Sequence, residues 1–247
     1  MSYIFQPMLS IVIPSYKGGN ILARNLPPLR AFLRDQKIDY EIIIVDDGSQ
    51  DNGLTRDTAL ANQCRFYQHD KNLGKGAAVK TGMLKAQGEY RLFTDADIPF
   101  DYDTIAKFLH YLDFKEFDVV IGDRNLSSSV YYAEIHPLRK VASNVFSFLV
   151  ARFFVGGFFD TQCGIKGFKA SVATDIFSVA RIERFSSDIE VLYVAVKRNY
   201  DIKRLPVRLR NNESSSVRLV RDSIIMLMDI LRIRWNYCLG RYRPLKP

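Results

Sequence analysis

Predicted strands alternate with predicted helices through the first half of the chain, and this alternation constrains the fold more than any other feature. The strands are expected at Leu9–Pro14, Glu41–Val45, Arg65–Gln68 and Tyr90–Thr94. The helices between them are expected at 18–36, 51–62 and 75–86. Strands that are apolar on both faces and are separated by helices predict an α/β fold, in which helices cover a mostly parallel sheet.

The fourth predicted strand ends in two carboxylates, in the segment Thr94-Asp95-Ala96-Asp97. Side chains two residues apart on an extended chain point the same way, so Asp95 and Asp97 can converge on one cation. Mg²⁺ and Mn²⁺ accept one or two carboxylates and complete their shells with water or substrate phosphates. A simple helix cap is the alternative role for either aspartate. The pair therefore indicates a metal site.

Two further polar segments fall at the carboxyl ends of predicted strands. They are Pro14-Ser15-Tyr16 and Asp46-Asp47. Ligands of open α/β sheets bind beyond the carboxyl ends of the strands. We therefore expect these segments and the aspartate pair to share one edge of the sheet.

The segment Asn72-Leu73-Gly74-Lys75-Gly76 precedes the third predicted helix. It is not a P-loop, because the four-residue spacer before Gly-Lys and the following Ser or Thr are missing. A lysine between glycines at a helix N-terminus presents backbone N–H groups and one positive charge, which suit a nucleotide or phosphate. An ordinary loop is equally compatible with this segment.

Charge, cysteine content and the length of apolar runs limit the kinds of partner and the cellular location that the protein can have. The 247 residues carry a net charge of +8, which favours an anionic partner such as nucleic acid, nucleotide phosphates or a membrane surface. Three scattered cysteines indicate buried thiols in a reducing compartment. No signal peptide is recognisable, and no apolar run reaches the ~18–20 residues that a membrane span needs. We expect a soluble or peripheral protein.

The second half of the chain adds two helices of interest. A helix predicted over 137–155 aligns Arg139, Ser143 and Ser147 on one side, an arrangement suited to a phosphate, although a buried core helix is the alternative. A last helix, predicted over about 217–237, has one narrow charged stripe, which consists of Arg218, Arg221, Asp222, Asp229 and Arg232. Its remaining face carries Leu219, Val220, Ile224, Leu227, Met228, Leu231 and Trp235. That amphipathic helix could pack on the domain or lie in a membrane interface.

No internal repeat or linker divides the chain. We expect one domain over 1–216, with the helix and basic tail of 217–247 as a C-terminal extension of the same structural unit.

Five motifs, taken in order, resemble the family-2 glycosyltransferases of the GT-A fold. They are Ile13-Pro14-Ser15-Tyr16, Val45-Asp46-Asp47-Gly48-Ser49, Asn72-Leu73-Gly74-Lys75-Gly76, Thr94-Asp95-Ala96-Asp97 and Gly122-Asp123-Arg124. Asp160-Thr161-Gln162-Cys163-Gly164 and Asp188-Ile189-Glu190-Val191-Leu192 are similar to the dolichyl-phosphate glucosyl- and mannosyltransferase branch, the glucosyl kind most closely. The resemblance covers residues 9–240 and implies a Rossmann-like GT-A sheet.

The resemblance also implies roles on the donor side. The nucleotide sugar would lie against Pro14, Tyr16, Val45, Asp47, Lys75 and Asp95. Asp47 would accept a hydrogen bond from the base. Asp95 and Asp97 would hold Mg²⁺ or Mn²⁺ at the diphosphate.

For the acceptor, the resemblance implies a phosphate site at Arg124, Arg139 and Ser143. Asp97, Arg124 and Asp188 would be the catalytic residues. The sequence departs from the family at Gly18, where an acidic residue is usual, and at Ser214-Ser215-Ser216, where Gly-Ser-Lys is usual. We also expect no equivalent of the membrane-spanning anchor that many eukaryotic members have.

The expected reaction is metal-dependent, inverting transfer of glucose or mannose from a UDP-glucose or GDP-mannose type donor to a polyprenyl phosphate. The enzyme would be cytoplasmic and peripheral on the cytoplasmic face of a membrane. A sugar hydroxyl is the alternative acceptor, with Asp188 as its base. A nucleotidyltransferase would want a Gly-rich loop after the first strand, and a nucleic-acid module would want interleaved aromatic and basic residues. Neither pattern is found, so we expect no nucleic-acid partner.

Overall fold

In the part of the chain that the structure describes, seven strands form one mixed central sheet. A computed structural model describes residues 8–129, 160–161, 163–209 and 219–243. The strands are β1 Leu9–Ser15, β2 Tyr40–Asp46, β3 Arg65–Gln68, β4 Tyr90–Thr94, β5 Val119–Asp123, β6 Ile165–Lys169 and β7 Ile202–Pro206. Their order across the sheet is β3-β2-β1-β4-β6-β5-β7. The sheet is mostly parallel and is flanked by helices, as the α/β fold expected from the sequence requires.

Seven helices lie in the described part of the chain. They are α1 Gly19–Asp35, α2 Leu54–Ala61, α3 Lys75–Lys85, α4 Asp103–Asp113, α5 Ala170–Val179, α6 Ser187–Lys197 and α7 Leu219–Cys238. The predicted helix over 51–62 begins later than expected, at Leu54. The predicted helix over 137–155, with Arg139, Ser143 and Ser147, lies outside the described residues.

Strand β6 runs antiparallel to both of its neighbours, whereas the other pairings are parallel. It lies between β4 and β5, and its first residue, Ile165, pairs with the last residue of β4, Thr94. The start of β6 is therefore at the same edge of the sheet as the carboxyl end of β4.

Both faces of the sheet are covered by apolar cores. Along β1, Val12 packs in one core while Ile11 and Ile13 pack in the other, as the alternation of side chains on a strand requires. One core includes buried residues of α3, α5, α6 and α7, and the opposite core includes those of α1 and α4. This arrangement explains why the strands are apolar on both faces.

Helix α7 packs through a narrower face than its apolar pattern suggests. Ile230 and Ile233 are buried in the core shared with α3. Four apolar residues of the predicted face, Leu227, Met228, Leu231 and Trp235, are instead between 56% and 65% exposed. We call these four residues the α7 apolar stripe. Among the described helices, none combines the length and apolarity required to cross a bilayer.

Candidate active site

A cavity of about 590 Å³ opens at the carboxyl edge of the sheet. This volume is typical of small-molecule sites, which span about 300–1,000 Å³. Its lining residues are Pro14, Ser15, Tyr16, Asp47, Asn72, Leu73, Gly74, Lys75, Ala78, Asp95, Arg184, Phe185, Ser186, Ile225, Met226 and Asp229. The structure therefore brings four of the motif segments predicted from the sequence together with residues of α7.

The ends of β1 and β2 contribute one wall of the cavity. Tyr16 follows β1 and is 49% exposed, so its ring is accessible to a planar ligand group, with Lys17 Nζ 5.4 Å from the ring centre. Pro14 and Asp47 line the same wall. Val45, predicted to contact the nucleoside, is fully buried in the core, and its side chain does not line the cavity.

Asp47 organises the loop that precedes α3. Its Oδ1 accepts from the backbone N–H of Leu73 at 3.0 Å, and its Oδ2 accepts from that of Gly74 at 2.7 Å. The Nδ1 atom of His69 lies 2.8 Å from Oδ1, and its Nε2 lies 3.0 Å from the Thr81 hydroxyl. Asp47, which is predicted to bind the base, thus also holds in place the backbone that precedes Lys75.

Gly74 adopts a backbone conformation that residues with a side chain rarely adopt. Its φ is +116°, and a Cβ atom there would lie 2.4 Å from the carbonyl oxygen of Glu183. The absence of a side chain therefore lets the N-terminus of α3 approach the segment that carries Arg184, Phe185 and Ser186.

Two lysines and two aspartates form a chain of ion pairs beneath the cavity. Lys75 Nζ lies 2.6 Å from Asp95 Oδ1 and 3.8 Å from Asp188 Oδ2. The fully buried Lys166 donates to Asp188 Oδ1 at 2.7 Å and to the carbonyl oxygen of Cys163 at 2.9 Å. Burial lowers the pKa of Lys75, but Asp95 and Asp188 outweigh that effect and raise the pKa. Lys75 is therefore a permanent cation.

Asp95 is confined by its neighbours. A Cβ atom on Gly164 would lie 2.1 Å from Asp95 Oδ2, so a larger residue at this position would displace the carboxylate. The turn beyond it places the β-branched Ile98 at a φ of +41°, a costly conformation for such a residue. Backbone strain of this kind concentrates at functional sites, where it holds side chains in fixed positions.

Arg124, at the end of β5, is bound to Asp160. Its Nε and Nη2 atoms donate to the two carboxylate oxygens at 2.8 and 2.7 Å, and its backbone N–H donates at 2.7 Å. Burial raises the pKa of Asp160, but the bonds from Arg124 outweigh it and hold the pKa below its usual value. This ion pair joins the end of β5 to the segment that contains Gly164, and Gly164 in turn lies beside Asp95.

The predicted catalytic and acceptor residues differ in where they lie relative to the cavity. Asp95 and Lys75 line the cavity, while Asp188 lies below them and is 4% exposed. Asp97 is partly exposed and lies two residues beyond Asp95. Arg139 and Ser143 lie outside the described residues, so their predicted contact with an acceptor phosphate stays a prediction.

Several residues of the site carry no motif in the sequence. Lys166, in the middle of a short strand, gives no local signal of its burial against Asp188. Lys166 lies beneath the cavity and does not line it. The unpredicted residues that do line it are Ala78, Arg184, Phe185, Ser186, Ile225, Met226 and Asp229. The position of Asp229 in the charged stripe of the last helix was visible, but its nearness to β1 and β4 was not.

Comparison with known proteins identifies the family. The profile of glycosyl transferase family 2 matches residues 10–177. The chain is 34% identical over 249 residues to a dolichyl-phosphate beta-glucosyltransferase of Dictyostelium discoideum, a match covering 95% of this chain and 76% of that protein. It is 31% identical over 255 residues to the Saccharomyces cerevisiae protein of the same name, with coverage of 95% and 76%.

A solved structure shares the fold. Glucosyl-3-phosphoglycerate synthase of Mycobacterium tuberculosis, determined with Mn²⁺, UDP and glucosyl-3-phosphoglycerate, superposes with a TM-score of 0.69 at 17% identity, covering 97% of this chain and 81% of that one. At that identity the likeness concerns the fold alone. The family match, the relatives and the aspartate-lined cavity lead to one conclusion: this chain belongs to glycosyl transferase family 2 and is a GT-A glycosyltransferase.

Proposed function

We propose that the enzyme transfers glucose from UDP-glucose to the phosphate of a polyprenyl phosphate of the dolichyl type, with inversion at the sugar carbon. The observation that carries this proposal is the cavity itself, which combines a stacking ring (Tyr16), a cation (Lys75) and a metal-type carboxylate (Asp95). The relatives named as dolichyl-phosphate beta-glucosyltransferases support glucose as the sugar. They lend no support to the GDP-mannose alternative.

Asp95 and Asp97 are the residues that would hold Mg²⁺ or Mn²⁺. The oxygen donors fit this class of metal, and Asp95 is already the preferred neighbour of a positive charge, since Lys75 Nζ contacts its Oδ1. Two carboxylates suffice because donor phosphates and water provide the remaining ligands. When bound, the ion would offset the negative charge that develops on the departing diphosphate.

The chain's own residues perform the remaining work of binding and orientation. Lys75 and Arg184 bring positive charge to the cavity and attract the diphosphate of the donor. Tyr16 offers its ring to the base. With the donor held, an oxygen of the acceptor attacks the sugar carbon from the face opposite the diphosphate, and the sugar–oxygen bond to the diphosphate breaks.

The surroundings of Asp188 favour a phosphate acceptor over a hydroxyl acceptor. A hydroxyl needs a base to take its proton, and that base must be within reach of the hydroxyl. Asp188 is buried, receives a hydrogen bond from Lys166 and lies near Lys75. Those contacts suit a residue that positions Lys75. A phosphate acceptor is already an anion and needs only to be held in place, for which Arg124, Arg139 and Ser143 remain the candidates.

A donor and acceptor panel tests this function. We expect glucosyl transfer from UDP-glucose to a short-chain polyprenyl phosphate in the presence of Mn²⁺ or Mg²⁺, and loss of transfer when the metal is chelated. GDP-mannose and free sugars serve as the competing donor and acceptor. Faster transfer to a sugar hydroxyl than to the polyprenyl phosphate would overturn the proposal.

We also propose that the enzyme works on the cytoplasmic face of a membrane through α7. The α7 apolar stripe is exposed, and Arg232, Arg234, Arg241 and Arg243 are exposed around it. Basic residues near an anionic leaflet contribute about 1 kcal/mol each. Cys64 and Cys163 are buried free thiols, as expected, whereas Cys238 is an exposed free thiol. Free thiols are typical of a reducing compartment.

Liposome flotation tests the membrane surface. The protein should float with anionic liposomes and detach as salt rises, because the Debye length falls to about 3 Å at 1 M. Trp235→Glu should reduce flotation. Phe114→Glu is the matched control, since Phe114 is 73% exposed but follows α4 at the opposite edge of the sheet. Equal flotation of both variants would contradict a role for α7.

A further inference from the structure

Unpaired buried polar atoms concentrate in one place in this protein. Among the described residues, five buried side-chain atoms lack a hydrogen-bond partner: Ser15 Oγ, Thr94 Oγ1, Ser186 Oγ, Arg198 Nε and Asp229 Oδ2. Three of these residues, Ser15, Ser186 and Asp229, line the candidate active-site cavity. Buried polar groups are nearly always hydrogen-bonded in folded proteins. Their clustering therefore points to a ligand that supplies the missing partners.

The position of Asp229 on α7 is fixed by packing. Ile230 and Ile233 anchor the helix in the core. Ile225 and Met226 lie four and three residues before Asp229, so the three side chains share one side of the helix, and all three line the cavity. The helix thus presents a carboxylate between apolar groups to the space that Tyr16 and Lys75 face from the sheet.

A buried carboxylate also ties α7 to the segment that carries Ser186. Tyr242 lies just beyond the end of α7, and its hydroxyl donates a hydrogen bond to Glu190 Oε1 at 2.5 Å. The same carboxylate accepts from the backbone N–H groups of Arg181 and Ile182 at 2.8–3.0 Å. The two walls that carry Ser186 and Asp229 are therefore held in a fixed relation, as a binding site requires.

The chemistry of Asp229 selects its ligand group. An ionised carboxylate only accepts hydrogen bonds, so its partner must be a donor. A phosphate group would be repelled. Within the described residues no three His, Cys, Asp or Glu side chains are grouped so that they could hold a metal ion, and Asp229 is therefore part of no such group. The donors that a UDP-sugar carries are the hydroxyl groups of its ribose and hexose and the N–H of its base. Because Tyr16 and Asp47 are the proposed contacts of the base, a hydroxyl group is the donor assigned to Asp229.

We propose that Asp229, assisted by Ser186, binds a hydroxyl group of the nucleotide-sugar donor and so helps to select it. This inference rests on the proposed function for the class of donor. The hydroxyl belongs either to the ribose or to the hexose of that donor, and both sources present the same chemistry. In either case α7 forms part of the donor pocket as well as carrying the apolar stripe.

Calorimetric titration without acceptor tests the proposal. UDP-glucose and UDP are titrated with Mn²⁺ into the wild type, Asp229→Ala and Asp229→Asn. We expect UDP-glucose to bind at least about tenfold more weakly to Asp229→Ala, with partial recovery in Asp229→Asn, because an amide oxygen still accepts a hydrogen bond. Asp35→Ala, at an exposed position at the end of α1, controls for the change in net charge.

The choice of ligands separates the two hydroxyl sources. If the hexose is bound, UDP affinity stays unchanged in Asp229→Ala. If the ribose is bound, Asp229→Ala loses as much affinity for UDP as it does for UDP-glucose. In that case 2′- or 3′-deoxy-UDP also binds the wild type as weakly as UDP binds Asp229→Ala. Affinities within twofold of wild type for both ligands, in a variant with an unchanged melting temperature, would overturn the proposal. A wild type that binds no nucleotide sugar would overturn the proposed function as well.

Discussion

The ammonium group of Lys75 lies 2.6 Å from Oδ1 of Asp95, at the N-terminus of α3 and the carboxyl end of β4. This contact joins the two motifs of the sequence that suggested phosphate and metal chemistry. Lys75 offsets the charge of Asp95 and Asp188 while remaining part of the cavity wall. The same lysine can therefore hold the carboxylates in place and offer positive charge to an incoming diphosphate.

The first prediction concerns the metal-type carboxylates. Asp97→Ala should lower glucosyl transfer at saturating donor at least about 100-fold, since charge stabilisation of the leaving diphosphate is worth several kcal/mol. The melting temperature should stay close to that of the wild type, because Asp97 lies outside the apolar cores. Asp103→Ala, an exposed position in the first turn of α4, is the control. Near-normal turnover in Asp97→Ala would show that the aspartate pair binds no catalytic metal.

A second prediction concerns the close contact of Gly164 with Asp95. Gly164→Ala should push the Asp95 carboxylate aside at little cost in stability, because the atom it meets is the end of a side chain. UDP binding in Mn²⁺ should weaken at least about tenfold, equivalent to about 1.4 kcal/mol. Titration calorimetry and thermal unfolding measure the two effects.

Gly167→Ala is the matched control for that substitution. Its Cβ atom would lie 3.0–3.2 Å from core side chains of Leu112, Leu92 and Phe108, so it should lower stability and leave nucleotide affinity nearly unchanged. If the two variants show the same pattern of losses, the contact between Gly164 and Asp95 has no special role.

A third prediction concerns the buried pair of Lys166 and Asp188. Lys166→Met should lower the free energy of unfolding by about 3–5 kcal/mol, because it leaves a buried carboxylate without its closest partner. Adding Asp188→Asn should restore part of that loss, as measured by denaturant unfolding in a double-mutant cycle. Lys169→Met, which breaks a partly exposed pair with Asp118, should cost only about 0–1 kcal/mol. Additive losses from Lys166→Met and Asp188→Asn would contradict direct coupling.

The fourth prediction uses pH to examine Arg124 and Asp160. Because Arg124 holds the pKa of Asp160 below its usual value, the ion pair stabilises the fold above the unfolded pKa of about 3.9, and this contribution disappears as the pH falls through the folded pKa. Arg124→Met should therefore cost about 1–3 kcal/mol near pH 7. The difference from the wild type should shrink below about pH 4.

Urea unfolding at pH 3.5, 5 and 7 measures this dependence. Arg204→Met is the control, since Arg204 is 39% exposed and its Nη1 lies 3.4 Å from Asp123. A loss for Arg124→Met that is the same at all three pH values would show that its effect does not depend on the ionisation of Asp160.

The sequence alone was sufficient to predict the strands and helices of the first half of the chain and the site residues at the ends of its strands. Strands β1, β2 and β4 and helix α3 follow from local periodicity, which depends only on side chains close together in the chain. Because parallel strands end at one edge, the positions of the strands were enough to place Pro14, Tyr16, Asp47 and Asp95 together. They do line one cavity.

The tertiary structure decided what surrounds those residues. β6 reverses direction between β4 and β5, and this reversal alone puts Gly164 beside Asp95 and Lys166 beneath Asp188. A short strand containing one glycine and two lysines carries no local signal of its direction or its neighbours.

Helix α7 shows the same limit. Its apolar residues spread over most of its circumference, so periodicity could not choose which side meets the core. Packing of Ile230 and Ile233 made that choice, leaving Leu231 and Trp235 exposed and bringing Asp229 to the cavity. Local pattern fixes which residues share a face, whereas contacts between residues distant in the chain fix what that face meets, and only the folded protein contains those contacts.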